Sequence, residues 1–366
     1  MNQNTREPGR NEPAPGLPSP PDRPNLLDLS FHQLESFLVE LGEKPFRARQ
    51  VWQWLWQKRL ASPLEMTNLS KDLRARLADA ADIRLPAVAQ RLESRDGTVK
   101  FLLEFDPATR VETVLIPEKD RYTQCLSTQA GCAMACTFCR TGTMGLARNL
   151  SPGEILAQIL VARNHLQDAG RTLHLRNLVF MGMGEPLLNY DNLLQALEAL
   201  HHPQGLDFST RRVTVSTVGV EPGILEFGRS GLGALAVSLH APNQELRAQL
   251  MPKAARMLPL DRLMDTLAQY PLKPREHITF EYVLLGGVND SPALARDLVR
   301  LLSHVKGKVN LIAYNESPGI PFTSPSPETV EAFQKILWDK SITVTLRKSK
   351  GRDIAAACGQ LAAPDA

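Results

Sequence analysis

The stretch Gly131-Cys132-Ala133-Met134-Ala135-Cys136-Thr137-Phe138-Cys139 sets three thiols at the spacing C-x3-C-x2-C. Gaps this short let one loop wrap a compact iron–sulfur cluster. Zinc sites more often join a C-x2-C pair to a second pair elsewhere, and the chain has no second pair. A ferredoxin-type carrier supplies four cysteines to each cubane, whereas this loop supplies three, leaving one iron open for a ligand that can react. The stretch follows the strand-like run Tyr122 to Thr128. That placement argues against three cysteines used only as small buried hydrophobes.

Strand-like and helical runs alternate downstream of this loop. The strand-like runs are Leu175 to Gly182, Arg212 to Val218, Leu235 to His240, Ile278 to Leu285, Lys308 to Asn315 and Ile342 to Leu346. Between them, Ser151-Pro152-Gly153-Glu154 reads as a capping box and Ser291-Pro292 places proline at a first helical position; another helix begins near Ser326. Such alternation predicts parallel strands joined by crossover helices. The units are too few for the eight-stranded barrel, so the expected fold is an α/β incomplete parallel (β/α)6 barrel, with a doubly wound open sheet as the alternative.

Upstream, residues 1–24 carry seven prolines and almost no large apolar side chains, and are expected to form a disordered tail. Residues 25–85 read as a small helical domain, with Ser30 capping a helix that Gly42 ends. Val51, Trp52, Leu55 and Trp56 mark a second helix, and a third starts at Ser70. Residues 86–117 read as an antiparallel β extension with turns at Asp96-Gly97 and Asp106-Pro107. Residues 118–366 are then the barrel and its C-terminal segment.

Composition sets the class. The chain has 366 residues, 43% hydrophobic, with 42 basic and 39 acidic side chains and a net charge of +3. It can bury a core without disulfide staples. No apolar run reaches the ~18 residues of a membrane span, and the N-terminus lacks a secretory apolar stretch, so a cytoplasmic location without membrane contact is expected. Five cysteines, three of them clustered, fit metal and redox chemistry in a reducing compartment.

Reactive groups of α/β barrels collect at the C-terminal strand ends. Here those ends offer Gly182-Met183-Gly184-Glu185-Pro186, Ser216-Thr217-Val218-Gly219, Ser238-Leu239-His240 and Tyr314-Asn315. A carboxylate at Glu185 could meet an ammonium group.

C-x3-C-x2-C after the first strand of an α/β chain resembles the radical S-adenosylmethionine (SAM) superfamily. By that resemblance Cys132, Cys136 and Cys139 hold one [4Fe-4S] cluster whose open iron chelates SAM, and reduction cleaves SAM to a 5′-deoxyadenosyl radical. Glu112 to Pro117, Cys125, Gly145 to Leu150, Met181 to Leu187, Ser238 to Asn243 and Ala357-Cys358-Gly359-Gln360-Leu361 together resemble the RNA adenine methyltransferases of the RlmN and Cfr type. The resemblance runs from about residue 30 to the C-terminus. It implies that Gly184, Glu185, Ser216, Ser238, Leu239, His240 and Asn315 contact SAM.

It also implies roles for the two remaining cysteines, each of which composition alone would make a packed core residue. Carbons 2 and 8 of adenine are not nucleophilic, so the family first methylates a cysteine, here Cys358. A second SAM then yields the radical that activates this S-methyl group for addition to the ring. Cys125 releases the adduct by attack on sulfur, leaving a transient disulfide with Cys358. Glu112 matches the family's proton acceptor. The implied reaction consumes two SAM per turnover and methylates carbon 2 of an adenine in 23S rRNA, with tRNA as a second candidate substrate. A low-potential donor such as flavodoxin would supply electrons, and a monomer is expected. The alternatives are a carbon-8 enzyme of the Cfr type and, from another class, a non-catalytic iron–sulfur RNA-binding or redox protein.

For RNA contact, Arg347, Lys348, Lys350 and Arg352 lie close before Cys358. The helical domain adds Lys44, Arg47, Arg49, Lys58 and Arg59, with Trp52, Trp54 and Trp56 interleaved. Phosphate neutralisation and base stacking are the chemistry such residues offer. Trp52 and Trp56 are expected in the core.

Overall fold

The computed structural model describes residues 23–58 and 60–363. Most of the segment read as a tail, and Arg59, lie outside the described residues. The N-terminal unit packs α1 (Phe31–Glu40), α2 (Arg47–Gln57) and α3 (Lys71–Ala80) around a small core. Ser30 and Gln33 form a reciprocal capping box at the start of α1, which satisfies two donors that the first turn leaves free. Trp52 and Trp56 are fully buried and meet edge to face, 5.5 Å between ring centres.

Strands β1 (Ala87–Glu93), β2 (Val99–Asp106) and β3 (Thr109–Pro117) form an antiparallel meander. It runs directly into β4 (Tyr122–Cys125), which pairs antiparallel with β3. The cluster stretch then lies between β5 (Gln129–Cys132) with α4 (Arg140–Thr143) and β6 (Gly145–Asn149), β5 and β6 forming a separate two-stranded ribbon. Gly131 must be glycine here. Its φ is +76°, and an added Cβ would lie 2.0 Å from the Gly145 carbonyl oxygen.

Crossover units follow: α5 (Pro152–Asp168), β7 (Leu175–Phe180), α6 (Tyr190–His201), β8 (Val213–Thr217), α7 (Glu221–Ser230) and β9 (Ala234–Ser238). After the short α8 (Gln244–Leu250) and α9 (Pro252–Met257) come α10 (Leu260–Ala268), β10 (Ile278–Leu284), α11 (Pro292–Leu302), β11 (Gly307–Ala313), α12 (Pro327–Asp339) and β12 (Val344–Arg347). The ten-stranded sheet has the order β1-β2-β3-β4-β7-β8-β9-β10-β11-β12. From β4 onward the strands are parallel.

The monotonic order decides between the two expected folds. A doubly wound sheet reverses its order at a switch point, and this sheet never does. Right-handed crossovers taken always in one direction put every helix on the same face, so the other face curls inward. Met181, just past β7, lies 3.9 Å through its sulfur from Arg347 at the end of β12, although β8 to β11 separate the two strands. The barrel is incomplete, and β12 does not pair with β1.

The chain after β12 lies against the meander across that gap. Gly351 N donates to Asp96 at 3.0 Å, Ser94 Oγ to Asp353 at 2.5 Å and Lys100 Nζ to the Ala355 carbonyl at 3.2 Å.

Candidate active site

The C-terminal strand ends open on a cavity of about 150 Å³. Cys132, Cys136 and Cys139 line it, with Gly184 and Glu185 after β7, Ser216 on β8, Ser238 and His240 at the end of β9, and Cys358. Residues chosen from separate stretches of sequence therefore converge. Leu239 and Asn315 do not line this cavity. Leu239 is buried and donates its N–H to the Glu281 carbonyl at 3.1 Å. Asn315 is buried with neither side-chain polar atom partnered.

Burial raises all three loop thiols above the ordinary range, Cys132 to about 11. Three neighbouring thiolates need a cationic centre to stay ionised. Among the described residues no three His, Cys, Asp or Glu side chains are grouped to hold one metal ion; a cubane asks for one thiolate per iron.

Glu185 is buried and accepts from Val218 N at 2.9 Å and Leu187 N at 3.1 Å. No lysine or arginine pairs with it among the described residues, and burial pushes its carboxyl up to about 7. Gly184 makes the approach possible: its φ is +99°, and a Cβ would lie 2.6 Å from that of Gln129. His240, also at positive φ, accepts from Val283 N through Nδ1 at 3.1 Å. Burial, with Arg247 nearby, pushes the ring down to about 3. A neutral ring accepting at Nδ1 carries its proton on Nε2, which is then a donor. A buried carboxylate without a cation and a neutral imidazole donor on one cavity wall fit a ligand with an ammonium and a polar acceptor atom.

Beside this cavity lies a second of about 250 Å³, lined by Cys125, Cys139, Cys358, Glu118 and Arg347. Cys125 ends β4, and burial, with Cys358 as neighbour, pushes its thiol up to about 12 against the pull of Arg347. Both cysteines are free thiols. Arg140 N donates to the Gly359 carbonyl at 2.7 Å, Thr141 Oγ1 to the Leu361 carbonyl at 2.6 Å and Gln360 Nε2 to the Glu316 carbonyl at 2.7 Å. These bonds hold the Cys358 segment over the mouth.

Glu112 sits elsewhere than on these walls. It is buried on β3, paired with Lys100 at 2.8 Å, and accepts from Ala362 N at 2.8 Å. Burial raises its carboxyl and the Lys100 ammonium works against that rise. Sequence reading missed Glu281, a buried carboxylate of β10 on the first cavity wall, held by Asn310 at 2.8 Å. It also read Arg347 only as part of a phosphate-facing run, whereas its side chain lines both cavities.

A partial barrel with a three-cysteine loop above its strand ends defines a radical SAM enzyme, and the Radical SAM superfamily model matches residues 126–298. The model for the Ribosomal RNA large subunit methyltransferase N-terminal domain matches residues 24–83. A protein of Solidesulfovibrio magneticus named Dual-specificity RNA methyltransferase RlmN is 66% identical over 93% of this chain and 96% of its own length. A Geobacter sulfurreducens protein of the same name is 49% identical over 92% and 91%. The crystal structure of a radical SAM methyltransferase from Sphaerobacter thermophilus superposes with a TM-score of 0.88 at 42% identity, covering 93% of this chain and 100% of that one. The chain belongs to the RlmN family of dual-specificity radical SAM RNA methyltransferases. Membership brings a [4Fe-4S] cluster and SAM as its cofactors and RNA as its substrate class. No described helix is long and apolar enough to cross a membrane.

Proposed function

We propose that the protein methylates carbon 2 of a specific adenine in 23S rRNA, with tRNA as its second substrate, through an S-methyl group on Cys358. The observation that carries this reading is the shared cavity of Cys125 and Cys358 beside the cluster loop. They are the two cysteines left once the loop has taken three. Cys132, Cys136 and Cys139 would hold the cluster, and Glu185, Ser216, Ser238, His240 and Asn315 would hold SAM, with Gly184 and Leu239 supplying backbone. When bound, these groups supply one-electron cleavage chemistry able to remove a hydrogen from an S-methyl group.

The chain's own residues do the rest. The Cys358 thiolate would attack the methyl carbon of a first SAM, forming its own sulfur–carbon bond as S-adenosylhomocysteine leaves, and so become S-methylcysteine. Once its activated methyl carbon is bonded to the ring, Glu112 takes the proton that carbon 2 loses, and the adduct's one unpaired electron would return to the cluster that supplied it. Glu112 is paired with Lys100 at rest, so this role requires that pair to open. Cys125 then attacks the Cys358 sulfur. A sulfur–sulfur bond forms, the sulfur–carbon bond breaks, and its pair goes to the carbon, which gains a proton and becomes the product methyl. A flavodoxin-like donor and a monomeric protein complete the reading, with two SAM consumed per turnover.

A Cys125→Ala variant tests it. With the releasing thiol gone, a covalent protein–RNA adduct at Cys358 should accumulate and survive denaturing gels. Ordinary turnover without an adduct would overturn the two-thiol scheme.

A further inference from the structure

A cleft more voluminous than the reaction cavity lies away from it. It encloses about 580 Å³ between the end of α2, the C-terminal half of α5, and the chain entering β7 and β8. Lys58, Arg163, Arg171, Arg176 and Arg212 line it, against one acidic residue, Asp207. Arg171 reaches an exposed Glu93 at 3.3 Å. The other four cations have no carboxylate partner within 4 Å among the described residues.

Arg163 is the most telling of them. It is half-buried, its recorded bond goes to the Trp56 carbonyl at 3.1 Å, and burial alone lowers its guanidinium from the usual range. Cations taken out of water are normally paired, and clustering several without counter-ions costs free energy through mutual repulsion. The chain as a whole is close to neutral, at +3. This concentration of charge is therefore local, and it calls for an anion.

We propose that this cleft grips the phosphodiester backbone of the RNA substrate at a point remote from the reacting adenine. The proposal rests on RNA being the substrate. The cleft suits backbone contact more than base readout, since Trp56 is buried and Phe208 half-buried, and His174 is the one exposed ring among five cations. Neutral donors at Asn164, Gln167 and Ser209 add hydrogen bonds that phosphate oxygens accept. Arg176 lies at the start of β7 and Arg212 just before β8, so the cleft is at the opposite end of the strands from the cluster loop. Strands of this length separate the two sites by about 20 Å. A small hairpin seated at the mouth would not reach the cleft, whereas a large folded RNA would.

The experiment compares reconstituted wild type with the Arg176→Glu/Arg212→Glu double variant. Each binds protein-free 23S rRNA and a short hairpin carrying the methylated adenine, across a salt series. The double variant should lose about tenfold or more in affinity for the long RNA, and its salt slope should drop by about 1 to 2. Its affinity for the hairpin and its RNA-free cleavage of SAM should match wild type, and an Arg176→Lys/Arg212→Lys variant should retain binding. Unchanged affinity for the long RNA in a variant that still cleaves SAM would overturn the cleft proposal alone, as would an equal loss on the hairpin. Wild type binding neither RNA would overturn the substrate reading and the cleft with it.

Discussion

The backbone N–H of Arg140, the residue after the last cysteine of the three-thiol loop, donates to the carbonyl of Gly359, the residue after Cys358, at 2.7 Å. One short bond thus ties the loop expected to carry the cluster to the segment expected to carry the methyl group. Thr141 adds a second tie to Leu361 at 2.6 Å. Thr141→Val keeps the shape and removes that tie, at a cost of about 1 kcal/mol. We expect RNA methylation to fall about five- to tenfold while RNA-free formation of 5′-deoxyadenosine stays near wild type. Equal loss of both activities would mean that Thr141 supports the cluster loop and not the Cys358 segment.

The same segment is anchored from the other side by Asp96, which accepts from Thr98 N at 2.9 Å and Gly351 N at 3.0 Å. Burial opposes ionisation of Asp96, but hydrogen bonds from Thr98 and Gly351 outweigh it and hold the carboxyl at about 2. A carboxylate lowered in the folded state stabilises above its unfolded value and loses that contribution as pH falls through the folded one. Asp96 is exposed, so solvent screens these bonds, and Asp96→Ala should cost at most about 1 kcal/mol throughout pH 5 to 8, read from urea unfolding. It should also speed alkylation of Cys358 in the protein without cluster. An unchanged alkylation rate would show that the segment holds its place without this anchor.

Loss of a single loop thiol should remove the cluster. Cys136→Ala is expected to lose the broad visible absorption of the iron–sulfur centre and all SAM cleavage, with the N-terminal helices and the sheet intact by circular dichroism. Retained absorption with full iron content would remove Cys136 from the ligand set.

Burial of His240 as a neutral ring has a pH signature. With the folded value lowered to about 3, the unfolded chain takes up a proton below about 6.5 and the folded chain does not. Stability from this group is whole above that value and declines by about 1.4 kcal/mol per pH unit as pH falls toward 3. Unfolding of the cluster-free protein at pH 7 and pH 5 should show this decline in wild type and not in His240→Gln. Parallel behaviour of the two would contradict a buried neutral ring.

Much of this site was legible before the structure because its residues lie at strand ends, where alternation of strand and helix fixes the position of each loop. The three-thiol spacing, the Ser216 and Ser238 positions, and the Gly184-Glu185 turn are of this kind. Glu281 was not legible, because it sits inside β10 and its inward direction depends on sheet curvature that no local pattern encodes. Arg347 reads as one cation in a basic run, and only the closing of the sheet turns it toward Cys125 and Cys358. The basic cleft was invisible for a similar reason: Lys58, Arg163, Arg176 and Arg212 belong to four separate segments. Glu112 shows the opposite limit. Motif resemblance marked it, but the pairing with Lys100 that keeps it off the cavity walls is a property of neighbouring strands.

The most direct test of the central claim is mass spectrometry of nucleosides from protein-free 23S rRNA treated with anaerobically reconstituted enzyme, SAM and a reductant. The account predicts new 2-methyladenosine that disappears with Cys358→Ala. Appearance of 8-methyladenosine, or 2-methyladenosine made equally well by the Cys358→Ala variant, would contradict it.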